Sequence, residues 1–167
     1  MQTKVLTLDN KALRDAASSA PYDFIEILVN EKQYGGGGIF NDQATVSVDS
    51  GFSEYVFVHE FGHHFAGLGD EYYTSDVAYE TGGTEHPEPW EPNITANGAH
   101  PKWMDLVTPG TPLPAPWDKE AWEAHGREYG AERRKLREAN VPESQMDELF
   151  RRELEWDTKF LGAQKYA

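Results

Sequence analysis

The sequence predicts an α+β fold in which a twisted mixed sheet packs on one buried helix, with a helical hairpin added after it. Three observations predict this. Short apolar or β-branched runs at residues 24–29 and 44–48 flank four consecutive glycines, Gly35 to Gly38. Residues 52–66 are apolar almost all round at helical spacing. Residues 118–161 are rich in Ala, Glu, Lys, Arg and Leu, with a helical period broken at Val141-Pro142. At 167 residues the chain has the length of one ordinary domain. Residues 1–75 are expected to hold the sheet and its helix, 76–117 a loop rich in proline and tryptophan, and 118–167 the helical segment.

Taken in order, residues 9–20 read as a short helix capped by Asp9 or Asn10, with Leu13, Ala16 and Ala17 on one face and Pro21 as its break. The run Phe24-Ile25-Glu26-Ile27-Leu28-Val29 lacks alternation, the pattern of a strand buried on both faces. The four glycines admit three readings. A phosphate cradle would need a following Lys or Ser/Thr at a helix start, which Ile39-Phe40 does not supply. The other two are a flexible loop and an edge strand above a cleft, bare enough for an extended peptide to pair with its backbone. Residues 44–48 form a small alternating strand. The helix from Phe52 to Ala66 is expected to be largely buried, capped by Ser50 or Ser53 and ended by Gly67 in a left-handed turn. Eight of the ten prolines lie between Pro87 and Pro116, a stretch also holding Trp90 and Trp103, with Trp117 just beyond, so an irregular but anchored loop is expected. In the hairpin, Trp122, Leu136, Leu149 and Phe150 are expected to face inward.

A formal charge of −14 makes a basic nucleic-acid surface an unsuitable reading; residues 1–100 hold 16 acids against 4 Lys/Arg. The absence of cysteine excludes disulfides, thiolate metal sites and a Cys nucleophile. No apolar run reaches the length of a membrane span, and the first residues carry no signal-like stretch. No pattern sets the oligomeric state.

The chemistry centres on His59-Glu60-Phe61-Gly62-His63, an HExxH pattern inside the expected helix. At about 100° per residue, His63 lies about 40° round and one turn along from His59, so both imidazoles can reach one metal ion. Glu60, about 100° from His59, stands beside such an ion, where it can take a proton from a zinc-activated water. Read instead as core residues, two imidazoles and a carboxylate on this Phe- and Val-rich helix would be expensive to bury. His64, about 140° from His59, reads as a supporting or surface residue. A catalytic zinc takes three protein ligands. In the metzincin pattern HExxHxxGxxH the glycine follows the second His by three residues and the third ligand follows by three more. Here Gly67 follows His63 by four and Asp70 follows Gly67 by three. Asp70 is the expected third ligand, with Glu71, Glu80, Glu85, His86 and His100 as alternatives. Tyr72 and Tyr73 are candidate donors to an oxyanion.

The segments Ala20-Pro21-Tyr22-Asp23, Tyr34-Gly35-Gly36-Gly37-Gly38-Ile39, Tyr55 to His63, Gly67-Leu68-Gly69-Asp70-Glu71-Tyr72-Tyr73 and Trp90-Glu91-Pro92-Asn93-Ile94-Thr95 resemble the bacterial immunoglobulin A peptidase family of zinc metallopeptidases. The resemblance runs from about Leu6 to Ala167. It implies a metzincin-like catalytic domain acting on polypeptides, a Zn2+ held by His59, His63 and Asp70, Glu60 as the catalytic acid and base, and an extracellular or cell-surface setting. It also implies an upstream domain and a later glycine-rich segment with a methionine turn. Met104 and Met146 do not look like that turn, so residues 1–167 read as one catalytic domain or as its core fragment. The competing expectations are a module that holds zinc in a closed shell completed by Glu71 or His86, and a metal-free interaction domain working through its hairpin. Asn93-Ile94-Thr95 fits a glycosylation triplet and is assigned no function.

Overall fold

In the computed structural model, Thr7 and residues 9–70, 88–113, 116 and 118–161 are described. They fall into two compact units divided between Asn97 and Gly98. Elements in chain order are α1 (Asn10–Ala17), β1 (Glu26–Val29), β2 (Gly36–Ile39), β3 (Gln43–Ser47), α2 (Ser53–Ala66), a 3-10 turn (Met104–Leu106), α3 (Lys119–Glu138) and α4 (Glu143–Leu161). None of the described helices is long and apolar enough to cross a membrane.

The first unit is organised around β3, whose five residues are all buried. It is the middle strand of a three-stranded sheet ordered β1-β3-β2. β1 pairs with it in parallel, Glu26 opposite Ala44 and Val29 opposite Ser47. β2 pairs with it antiparallel, Gly36 opposite Val46 and Ile39 opposite Gln43. The sheet is therefore mixed, and the glycine run supplies an edge strand. A three-residue loop joins β2 to β3 with Asn41 in the left-handed region, φ 55°, a geometry suited to short hairpin loops.

α2 packs on β2 and β3 through the stripe Val56, Glu60 and His64, its three buried residues. β2 can accept it so closely only because it is glycine. A Cβ at Gly36 would lie 2.6 Å from Val56 Cγ1, and one at Gly38 2.8 Å from His63 Cβ.

Three expectations are corrected here. β1 is not a strand covered on both faces: it begins at Glu26, lies at the sheet edge, and leaves Leu28 62% exposed. A run without alternation reports apolar content, not position within a sheet. α2 is not buried over most of its circumference, since Tyr55, Val58 and Phe65 are more than half exposed. Its outer face is instead an aromatic ladder, Phe57, Phe61 and Phe65 one turn apart, with Phe24 edge-on to the last two. Neither Ser50 nor Ser53 caps α2. Phe52 holds the cap position, and the Ser50 hydroxyl accepts the Phe52 N–H in the preceding turn. The cap of α1 is as expected, Asp9 accepting from Ala12 N–H, and Gly67 ends α2 at φ 64°.

In the second unit, α3 and α4 form the expected antiparallel hairpin, turning at Asn140 with φ 49°. Trp122 packs on Trp156 and Phe160, His125 stacks on Trp156 and bonds Glu153 at 2.7 Å, and Arg152 pairs with Glu132 at 2.6 Å. Met146, Leu149 and Phe150 are buried; Trp122 and Leu136 are partly so. The described part of the Pro/Trp loop is irregular apart from the 3-10 turn.

Candidate metal centre

Two neighbouring stripes of α2 have different tasks. Val56, Glu60 and His64 face the sheet, while Tyr55, His59 and His63 lie one step round the helix, with Tyr55 stacked over the His59 ring. The i, i+4 spacing brings His59 Nε2 and His63 Nε2 to 3.1 Å. Gly67 then turns the chain back, so that Asp70 Oδ1 lies 3.1 Å from His59 Nε2 and 3.0 Å from His63 Nε2. The donor atoms of His59, Glu60 and His63 also all fall within 4.8 Å of one another, a group able to hold a metal ion. Of the two carboxylates, Asp70 makes the tighter triangle with the imidazoles, and Glu60 is buried behind them against β2.

The surroundings fix the roles of these groups. His63 Nδ1 bonds the Leu68 carbonyl oxygen. As a donor there, Nδ1 leaves the Nε2 lone pair facing His59 and Asp70. The hydrogen bond to Asp70 raises the affinity of His63 for a proton above that of an ordinary imidazole, against burial and with help from the Leu68 carbonyl. Burial pushes the Glu60 carboxyl up. The positive character of His59 and His63 opposes this, Asp70 adds to it, and a hydrogen bond donated by Gly38 N–H opposes it.

His64 is neither metal-facing nor on the surface. It is buried, its Nε2 accepting from Ile25 N–H at 3.3 Å and its Nδ1 donating to Ile39 O at 3.1 Å. It thereby ties together the chain at both edges of the sheet, a role that sequence spacing alone did not reveal. With Nδ1 as donor and Nε2 as acceptor, one ring satisfies both bonds.

The sequence reasoning thus named four residues that the fold brings together: His59, Glu60, His63 and Asp70. Glu71, Tyr72, Tyr73, Glu80, Glu85 and His86 lie outside the described residues. His100 belongs to the second unit. What was missed is Asn93. Its carboxamide accepts from Gly69 N–H at 2.8 Å and donates to Gly69 O at 2.9 Å. A side chain reaching the backbone 24 residues away leaves no periodic trace in sequence.

No curated protein matches this chain. A family model does, over nearly all of it: the model described as IgA Peptidase M64 aligns with residues 2–167. With an HExxH helix, two apposed imidazoles and a carboxylate returned to them by a glycine turn, the chain belongs to the IgA peptidase M64 family of peptidases.

Proposed function

We propose that the chain is a zinc-dependent metallopeptidase of metzincin-like fold that hydrolyses peptide bonds of protein substrates. In this reading His59, His63 and Asp70 hold the metal and Glu60 is general base and acid. One observation carries it: the triangle of His59 Nε2, His63 Nε2 and Asp70 Oδ1, with edges of 3.0 to 3.1 Å. Ligands bound to zinc at about 2.0–2.2 Å in a tetrahedron stand roughly 3.3 Å apart. Two imidazoles and one carboxylate are also the donor set of a catalytic zinc with one position left open. The residues therefore fit the ion.

When bound, zinc supplies a Lewis acid that polarises a peptide carbonyl and acidifies water. The remaining work falls to the chain. Glu60 accepts a proton at its carboxylate and passes it to the leaving amine nitrogen. Its bond from Gly38 N–H anchors that carboxylate to β2. β2 lies at a sheet edge and has no side chains over most of its length, which supports an extended polypeptide lying along it. Tyr73, three residues after Asp70, is our candidate donor to the oxyanion. The family's description as a peptidase supports protein substrates, and an extracellular or cell-surface setting is part of this proposal.

The test is zinc content beside peptidase activity on the purified chain. We expect close to one zinc per chain, lost in His63→Ala. Glu60→Gln should keep the zinc and lose hydrolysis by about a hundredfold or more. Near-normal hydrolysis by Glu60→Gln would overturn the mechanism, and failure to bind zinc supplied in excess would overturn the metal.

A further inference from the structure

We propose that Asn93 is a positioning residue for the metal centre, its carboxamide clamping the Gly69 peptide so that Asp70 is held against His59 and His63. The proposal rests on the reading of Asp70 as the third ligand. The turn from Gly67 to Asp70 is fixed at each of its positions. At Gly67, the rings of Trp90 and Phe40 leave no room for a side chain: a Cβ would lie 2.8 Å from Trp90 and 3.1 Å from Phe40. The Leu68 carbonyl is bonded to His63 Nδ1. Gly69 is held twice by Asn93, and Ile94 and Glu91 occupy the space where its Cβ would be, with Ile94 Cγ1 at 3.1 Å and Glu91 Cγ at 3.2 Å. Asp70 then meets the two imidazoles.

Three of these holds come from one short segment, Trp90 to Ile94, across an intervening stretch of chain. The carboxamide matches the peptide group it grips, one donor to the carbonyl and one acceptor for the N–H, as a neighbouring strand would. Gly69 immediately precedes the ligand, so a shift of its peptide plane is transmitted to Asp70 with no intervening rotatable side chain. A metal ligand must be held within about half an ångström to bind well. The same contact gives Asn93 a different role from a glycosylation acceptor: the Nδ2 that a glycan would occupy is donating to Gly69 O.

The test is a competition titration of Zn2+ against a chromophoric chelator, on the full chain, for wild type, Asn93→Ala, Asn93→Asp, Asp70→Ala and the double variant Asn93→Ala/Asp70→Ala. Thermal melts of the metal-free proteins establish that each is folded. Asn93→Ala is expected to weaken zinc binding ten- to a hundredfold. Asn93→Asp, nearly isosteric, serves where the alanine variant does not fold. It is expected to weaken binding as well, because its second oxygen faces the Gly69 carbonyl instead of donating to it. In the Asp70→Ala background, Asn93→Ala should cost nothing further. Wild-type affinity in folded Asn93 variants beside a weakened Asp70→Ala would overturn the clamp alone. So would a full additional loss in the double variant. Wild-type affinity in Asp70→Ala would remove the ligand reading and the clamp with it.

Discussion

Glu60 and Glu26 are both carboxylates turned into the first unit, and they differ in what meets them. Glu60 has a backbone donor and two imidazoles beside it. Both oxygens of Glu26 are buried with no hydrogen-bond partner among the described residues. Burial raises its carboxyl above the ordinary 4.5, His64 eases it, and Glu60 raises it further. A carboxyl that holds its proton more tightly in the folded chain stabilises the fold fully below the unfolded value. That contribution disappears as pH rises through the raised folded value. At pH 7, above the unfolded value, the group therefore costs the fold stability. Glu26→Gln should raise the melting temperature at pH 7 by a few degrees, about 1 kcal/mol, the low end for an unsatisfied group because Glu26 is only partly buried. At pH 4 it should change little. Paired thermal melts at the two pH values check this, and an equal gain at both would show that charge is not the cause.

At the scale of elements, the contact that matters most to the site is α2 on β2. A methyl at Gly38 would strike the Glu60 carbonyl and come within 2.8 Å of His63 Cβ, atoms of the helix that bears His59, Glu60 and His63. Gly38→Ala should destabilise by about 1–3 kcal/mol in urea titration, with a loss of zinc affinity that Gly126→Ala, whose added methyl meets nothing within 4 Å, does not share. How much of this was legible from sequence follows the range of the interactions. His59, Glu60 and His63 were readable because one helical turn sets their separation, and Asp70 because a glycine turn sets its return. The edge position of β1 was not readable, since Ile25, Ile27 and Leu28 look alike in a central or an outer strand. The partial burial of α2 escaped for a related reason. Phe57, Phe61 and Phe65 satisfy one another as a stacked ladder, and composition cannot tell that from a buried face. The bonds from His64 to Ile25 and Ile39, and from Asn93 to Gly69, join residues brought together only by the finished fold.

For the whole molecule, the described residues of the candidate metal centre belong to the first unit, while the second holds α3, α4 and their own aromatic packing. If zinc is held as proposed, withdrawing it with a chelator should speed amide hydrogen exchange in residues 53–70 and 90–95. No change in these residues, read by mass spectrometry, would remove zinc from this site. The middle position of β3 has a kinetic consequence too. β2 and β3 are joined by three residues and can close early, whereas β1 reaches β3 only across about 18 positions of chain, a slower, higher-entropy closure. The triangle of donors needs α2 seated on that sheet and the segment around Asn93 brought back to it, so it forms late. A zinc ion that meets its ligands only after the rate-limiting step cannot hasten folding. In the proposed reading it acts on the return journey, as a brake on unfolding, and the lifetime of the native state rises while its rate of formation stays the same.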